Sequence, residues 1–197
     1  LLRAGADKII INSGFLKEGS LIQEGAHQFG SQCMIASIDA LIRNNKYCVY
    51  NKNNKNSELL VNDLAIRAEE FGAGEIFLNS VDRDGNKLGL DLKLGNEIRR
   101  NLSIPLILCG GVGKPSHIID GIQANLGAVA AGNFFHFTEM SVVAAKQYMV
   151  QNDCSVRLES FATYSNTTFD RRTERPTKLD EDTLEKLRFT YIPEEKI

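Results

Sequence analysis

The sequence has no surplus of charge of either sign. Its 23 lysines and arginines stand against 25 aspartates and glutamates, a formal net charge of −2. The charges are interspersed rather than blocked, which removes the electrostatic case for nucleic acid or an anionic membrane surface as partner. Long apolar runs are missing as well. The longest, such as Leu106–Leu108 and Ala128–Ala131, are far too short to cross a bilayer. The four cysteines, Cys33, Cys48, Cys109 and Cys154, make no CxxC pair and fit no zinc spacing. Three of them lie in or beside apolar runs, where a reduced, packed thiol is the default. His27, His117 and His136 share no ligand spacing, and no serine or cysteine has the surroundings of a catalytic triad. The opening residues carry no signal-peptide pattern. The expectation is a cytoplasmic protein without metal or cofactor, in which the Asn166-Thr167-Thr168 sequon is irrelevant.

What is present is an alternation. Apolar strand candidates at Lys8–Asn12, Cys33–Asp39, Glu75–Asn79, Leu106–Cys109 and Gly127–Ala131 alternate with amphipathic helix candidates. The helices are expected at Ser20–Phe29, Leu59–Phe71, Lys93–Asn101, Pro115–Ala124 and Glu139–Gln151. Nearly continuous apolar strands separated by helices predict an α/β fold with a parallel sheet covered on both faces. Each strand ends in a small or polar cluster: Asn12-Ser13-Gly14, Asp39-Ala40, Asn79-Ser80, Cys109-Gly110-Gly111 and Gly132-Asn133. Polar residues at the C-terminal ends of many successive strands are the pattern of a (βα)8 TIM barrel. An open dinucleotide-binding sheet would gather them at one switch point, and no GxGxxG follows the first strand. Such a barrel needs eight strands and about 250 residues. Five are counted here, and Leu1–Asp7 reads as the end of a helix already in progress. The expectation is therefore an N-terminally truncated barrel with strands 4 to 8 present, over residues 1–156, and a C-terminal extension over 157–197. Residues Ala4–Phe15 can be laid over Ala124–Phe135 as a weak repeat, each a small-residue turn, a strand, a polar pair and an aromatic. In a barrel that repeat suggests two equivalent half-barrel sites.

The chemistry follows from position. The Gly110-Gly111-Val112-Gly113 turn lets backbone N–H groups approach an anion, and the next helix adds its dipole. Gly132-Asn133 supplies more donors beside it, so the pair reads as a phosphate site; the alternative is tight turns needing positive φ. Asn12 and Ser13 offer a second phosphate site, or Ser13 a helix cap. Asp39, ending an apolar strand at the barrel mouth, would be partly desolvated and suited to general acid–base work, unless it caps the next turn. Asp82 and Asp84 flank Arg83 in a loop where Asp84-Gly85 is also a turn signal, so at least one of them is expected to be structural, with pairing to Arg83 as one way. Lys8 and Glu75 open their strands at the opposite end, as a charged plug or a solvated rim. His136, between two phenylalanines, reads as packed or hydrogen-bonded. The polar stretch Asn44–Ser57 reads as a loop or small hairpin at the catalytic face. The tail from about Arg157 carries Arg171-Arg172-Thr173-Glu174-Arg175-Pro176, then a short helix candidate with Asp180 as N-cap and Leu184 and Leu187 as its stripe, with Phe189 beyond. It reads as an appendage docked on the barrel or on a partner.

Several stretches resemble the cyclase subunits of imidazole glycerol phosphate synthase, the HisF family. They run from Ala4-Gly5-Ala6-Asp7-Lys8 through Ile11-Asn12-Ser13, and from Phe29-Gly30-Ser31-Gln32-Cys33 through Ile38-Asp39-Ala40. They continue in Gly72-Ala73-Gly74-Glu75-Ile76, Asp82-Arg83-Asp84-Gly85, Gly110-Gly111-Val112-Gly113 and Phe135-His136-Phe137. The resemblance implies a barrel that takes ammonia from a glutaminase (HisH-type) subunit and joins it to a ribulosyl aminoimidazole carboxamide ribonucleotide bearing two phosphates. It implies that Asp39 and Asp84 are catalytic-site aspartates, and that Asn12, Ser13, Asn79, Gly85, Gly110, Gly111, Gly132 and Asn133 bind substrate or phosphate. Lys8 and Glu75 would belong to the ammonia gate, and Asp7 to the glutaminase-facing rim. There are departures. Asn51–Leu60 lacks the glycine-rich segment of the family, Asn79 stands for a hydroxyl residue, Cys109 and Asn133 stand for serines, and the tail is longer. These resemble HisF-like paralogues that deliver ammonia to a sugar amidotransferase in surface-polysaccharide biosynthesis. A phosphoribosyl isomerase on the same barrel is a third reading, which would not need Asp7, Lys8 and Glu75.

Overall fold

A computed structural model of the chain describes residues 1–12, 20–52, 58–136, 141–158 and 167–186. The apolar runs become strands β1 (Ile9–Ile11), β2 (Met34–Arg43), β3 (Lys46–Val49), β4 (Glu75–Ser80), β5 (Leu106–Cys109) and β6 (Ala128–Val129). Five of them are parallel and lie side by side in the order β1-β2-β4-β5-β6. Among the described residues no strand order is reversed, so their sheet has no switch point. Right-handed crossovers between neighbours then put every connecting helix on one face of the sheet. This is the winding of a (βα)8 barrel.

The helices are α1 (Ser20–Phe29), α2 (Val61–Glu70), α3 (Leu92–Arg99), α4 (Pro115–Gln123), α5 (Asn133–His136), α6 (Ser141–Gln151) and α7 (Glu181–Lys186). In α2 the buried residues Val61, Leu64, Ala65 and Ala68 recur at the spacing of one helical face. They meet the strand residues that share the helix-covered face. Ala36, Ile76 and Leu106 are in register, as are Ile38, Leu78 and Leu108. All six are at most 1% exposed. The intervening residues point to the other face, where Phe77 and Ile107 are half-buried and Ile10 is 56% exposed.

Local signals set the helix ends. Asp91 caps α3 by accepting the Leu94 amide at 3.1 Å, and Pro115 opens α4. Asp180 caps α7 through the Thr183 amide at 2.8 Å. A short 3-10 turn at Leu2–Ala4 ends at Gly5, with φ of 102°.

Three elements differ from the sequence expectation. Strand β2 runs four residues beyond Asp39, because Ala40–Arg43 pair antiparallel with β3. The two-residue turn between them, Asn44-Asn45, has φ of 49° and 60°, the geometry whose twist matches paired strands. The expected strand Gly127–Ala131 pairs only at Ala128 and Val129. After it, Asn133–His136 close into a helical turn, where only a polar strand end was expected.

Candidate active site

The sheet register gathers the polar strand ends. Asp39, Asn79 and Cys109 are Cα partners across β2, β4 and β5 and share the helix-free face. Asn12, one residue beyond β1, reaches the same place. Its amide donates to the Asp39 carboxylate at 2.9 Å and lies 3.3 Å from the Ser37 hydroxyl. The Asn79 amide donates to the other Asp39 oxygen at 3.1 Å, while its own carbonyl oxygen is buried without a partner. Asp39 thus ends between two amides, with one oxygen given to each. Burial pushes the Cys109 thiol up, helped by the carboxylates of Asp84 and Asp39, against the Gly110 amide. Cys109 is therefore a neutral thiol at neutral pH. Ser13, expected beside Asn12, lies outside the described residues.

The glycine turns close over this row. Gly110 and Gly111 have φ of 98° and 94°. A side chain on Gly110 would stand 2.6 Å from the Ser80 carbonyl, and one on Gly111 2.2 Å from the Gly89 carbonyl. Both positions exclude any other residue. Gly89 donates its amide to the Gly111 carbonyl at 2.8 Å, so the β4–α3 loop and the β5–α4 turn are stitched together. Gly85 of that loop lies near Asn133, whose amide nitrogen would be 3.5 Å from a Gly85 Cβ. Gly85, Gly132 and Asn133 are exposed, and Asp84 with them. The Gly113 amide is already taken, donating to His117 Nδ1 at 3.1 Å.

Arg83 corrects one expectation. It pairs with neither neighbouring aspartate; its guanidinium reaches the Gly89 carbonyl at 3.2 Å and the Asp91 carboxylate at 3.9 Å. Asp82 accepts the Ile42 amide at 2.7 Å and so ties the β2–β3 hairpin to the loop. Asp91 is buried and also accepts the Tyr47 hydroxyl at 3.2 Å. Burial, and then the Asp91 charge, push Tyr47 up to about 12. Sequence reasoning missed this Tyr47–Asp91–Arg83 group. Asp91 before Leu92-Lys93-Leu94 was a readable cap signal, but the tyrosine's partner lies 44 residues away.

At the opposite end of the same face, Lys8 and Glu75 form an ion pair across β2. Asp7 beside them is exposed. His136 is exposed and Phe137 lies outside the described residues.

Sequentially ordered parallel strands, with polar side chains gathered at their C-terminal ends and a charged pair at the other, define a β/α barrel. The family model described as "Histidine biosynthesis protein" matches residues 1–141, and the chain belongs to that family. It is 43% identical over 161 residues to imidazole glycerol phosphate synthase subunit HisF of Bacillus cereus strain G9842, across 80% of this chain and 64% of that protein. It is 40% identical over 161 residues to the subunit of the same name from Hydrogenobaculum sp. strain Y04AAS1, with the same coverage. It is 39% identical over 162 residues to the Dehalococcoides mccartyi strain CBDB1 subunit, across 81% of this chain and 64% of that one. The chain thus spans just under two thirds of the length of these relatives.

Proposed function

We propose that this chain is a cyclase-type barrel of imidazole glycerol phosphate synthase, working in histidine biosynthesis with a glutaminase partner. Ammonia from that partner and the ribulosyl aminoimidazole carboxamide ribonucleotide would give imidazole glycerol phosphate and an aminoimidazole carboxamide ribonucleotide. The observation that carries this reading is the Asp39 carboxylate held between the Asn12 and Asn79 amides. Each oxygen accepts one hydrogen bond and keeps a lone pair. Such a carboxylate can take a proton as ammonia adds to the substrate and return one as the ring closes. Asn12 and Ser13 would seat one substrate phosphate. Gly85, Gly110, Gly111, Gly132 and Asn133 would seat the other, with backbone amides as donors and Asp84 at the rim.

The helix-free face supports an ammonia route. Lys8 and Glu75 stand at its entrance, and Asp7 beside them would face the glutaminase. Ile35, Phe77 and Ile107 line the middle. From Glu75 to Asn79 is four strand residues, roughly 13 Å at about 3.3 Å each. Neutral ammonia passes an apolar layer at small cost, whereas ammonium does not.

A second reading is delivery of ammonia to a sugar amidotransferase by a HisF-like paralogue. The row Asp39–Asn79–Cys109 favours it, because an amide and a protonated thiol stand where the substrate would lie. The two are separated by one assay. The full-length protein, given ammonium salt and the ribulosyl substrate, should release imidazole glycerol phosphate. A well-folded full-length protein that gives none leaves the paralogue reading in place.

A further inference from the structure

The family match ends at residue 141. Beyond it, residues 168–177 fold back as a narrow hairpin closed by a bridge between Phe169 and Pro176. Asp170 caps its turn, accepting the amides of Arg172 and Thr173 at 3.1 and 2.7 Å and the Thr173 hydroxyl at 2.7 Å. Glu174 follows, 6% exposed and held at φ of 55°. A side chain rarely adopts that region unless its surroundings over-determine it. Here they do. The Glu174 carboxylate accepts the Ser116 amide at 2.7 Å and pairs with Lys114 at 3.0 Å, and the Ser116 and Tyr148 hydroxyls face it. The other arm is tied to α6, where Gln151 donates to the Thr167 carbonyl at 2.9 Å and Phe169 meets Tyr148 edge-on at 5.3 Å.

The location gives this contact its meaning. Lys114 and Ser116 sit at the start of α4, directly after the Gly110–Gly113 turn. Glu174 and Pro176 share a small cavity with Gly113, Pro115 and Phe134. Phe134 belongs to the turn that begins at Gly132-Asn133. The hairpin therefore lies against residues of both glycine turns, Gly113 of one and Phe134 of the other. Those turns need support, because β5 and β6 are joined by only two paired positions. Glu174 pairs with Lys114 and accepts an amide of the first turn of α4.

We propose that this hairpin is a clamp that fixes the spacing of the two turns of the second phosphate seat, with Glu174 as a positioning residue. The proposal rests on the phosphate seat assigned above.

Inorganic phosphate titrated into the full-length protein, followed by the amide NMR signals of Gly110, Gly111 and Gly132, tests it. The wild-type protein should bind phosphate at those amides. Phe169→Ala releases the far arm and leaves the carboxylate's partners in place. Phe169→Ala, which changes no charge, should weaken binding at least fivefold, whereas Glu174→Gln also frees Lys114 and the α4 N-terminus, which favour an anion, and should weaken it less. Thermal unfolding of the variants reports any general loss of structure. Wild-type affinity in both variants overturns the clamp and leaves the seat standing. A wild-type protein that binds no phosphate at these amides overturns the seat, and the clamp with it.

Discussion

Asp91 holds three neighbours at once: the first turn of α3, the Tyr47 hydroxyl and Arg83 of the loop under the glycine turns. Removing a cap costs about 1 kcal/mol, and leaving a buried hydroxyl without an acceptor costs about 1–3 kcal/mol more. Asp91→Ala should therefore lose about 3 kcal/mol in urea unfolding, against about 1 kcal/mol for Tyr47→Phe. Equal small losses would mean that the group does not act as a unit. Tyr47 also carries a pH signature. An unfolded tyrosine ionises near 10, and this one keeps its proton to about 12. Below pH 10 both states are protonated and stability is intact. Between about 10 and 12 the unfolded state loses its proton first, so stability falls as pH rises. Tyr47→Phe should flatten that alkaline fall.

Among the elements, the β5–α4 turn is locked by an imidazole. His117 Nδ1 accepts the Gly113 amide, which requires that nitrogen to be unprotonated. Burial, and then the Lys114 charge, hold His117 below its ordinary value of 6.5. A depressed histidine contributes stability above 6.5 that is lost as pH falls through its folded value. The Gly113 amide signal should therefore titrate with a midpoint below 6.5. A midpoint at 6.5 or above would mean that the imidazole is not engaged. The β2–β3 hairpin is a second lock, holding the loop through Asp82 and the Ile42 amide.

At the scale of the whole molecule, much was legible because strand rank fixes strand end. Apolar runs of strand length gave the parallel order. Once that order is known, Asn12, Asp39 and Asn79 must meet at one end, and Lys8 and Glu75 at the other. Two things were not legible. A small hairpin over Asn44–Ser57 is one of two readings of the sequence, but the run of β2 on to Arg43 as its first arm was not legible, because it depends on Asn44-Asn45 adopting positive φ twice, a weaker signal than Asn-Gly. The clamp depends on Glu174 meeting Ser116 across 58 residues, which no local periodicity records.

The central claim is that the Asp39 carboxylate, not merely its place in the fold, moves the proton. In the full-length protein, Asp39→Asn keeps the shape and both neighbouring amides but cannot accept a proton at either position. Measured as ammonium-dependent formation of imidazole glycerol phosphate, its kcat should fall by about 10²–10⁴-fold, with the thermal midpoint within a few degrees of wild type. A folded Asp39→Asn enzyme turning over at the wild-type rate would contradict the account.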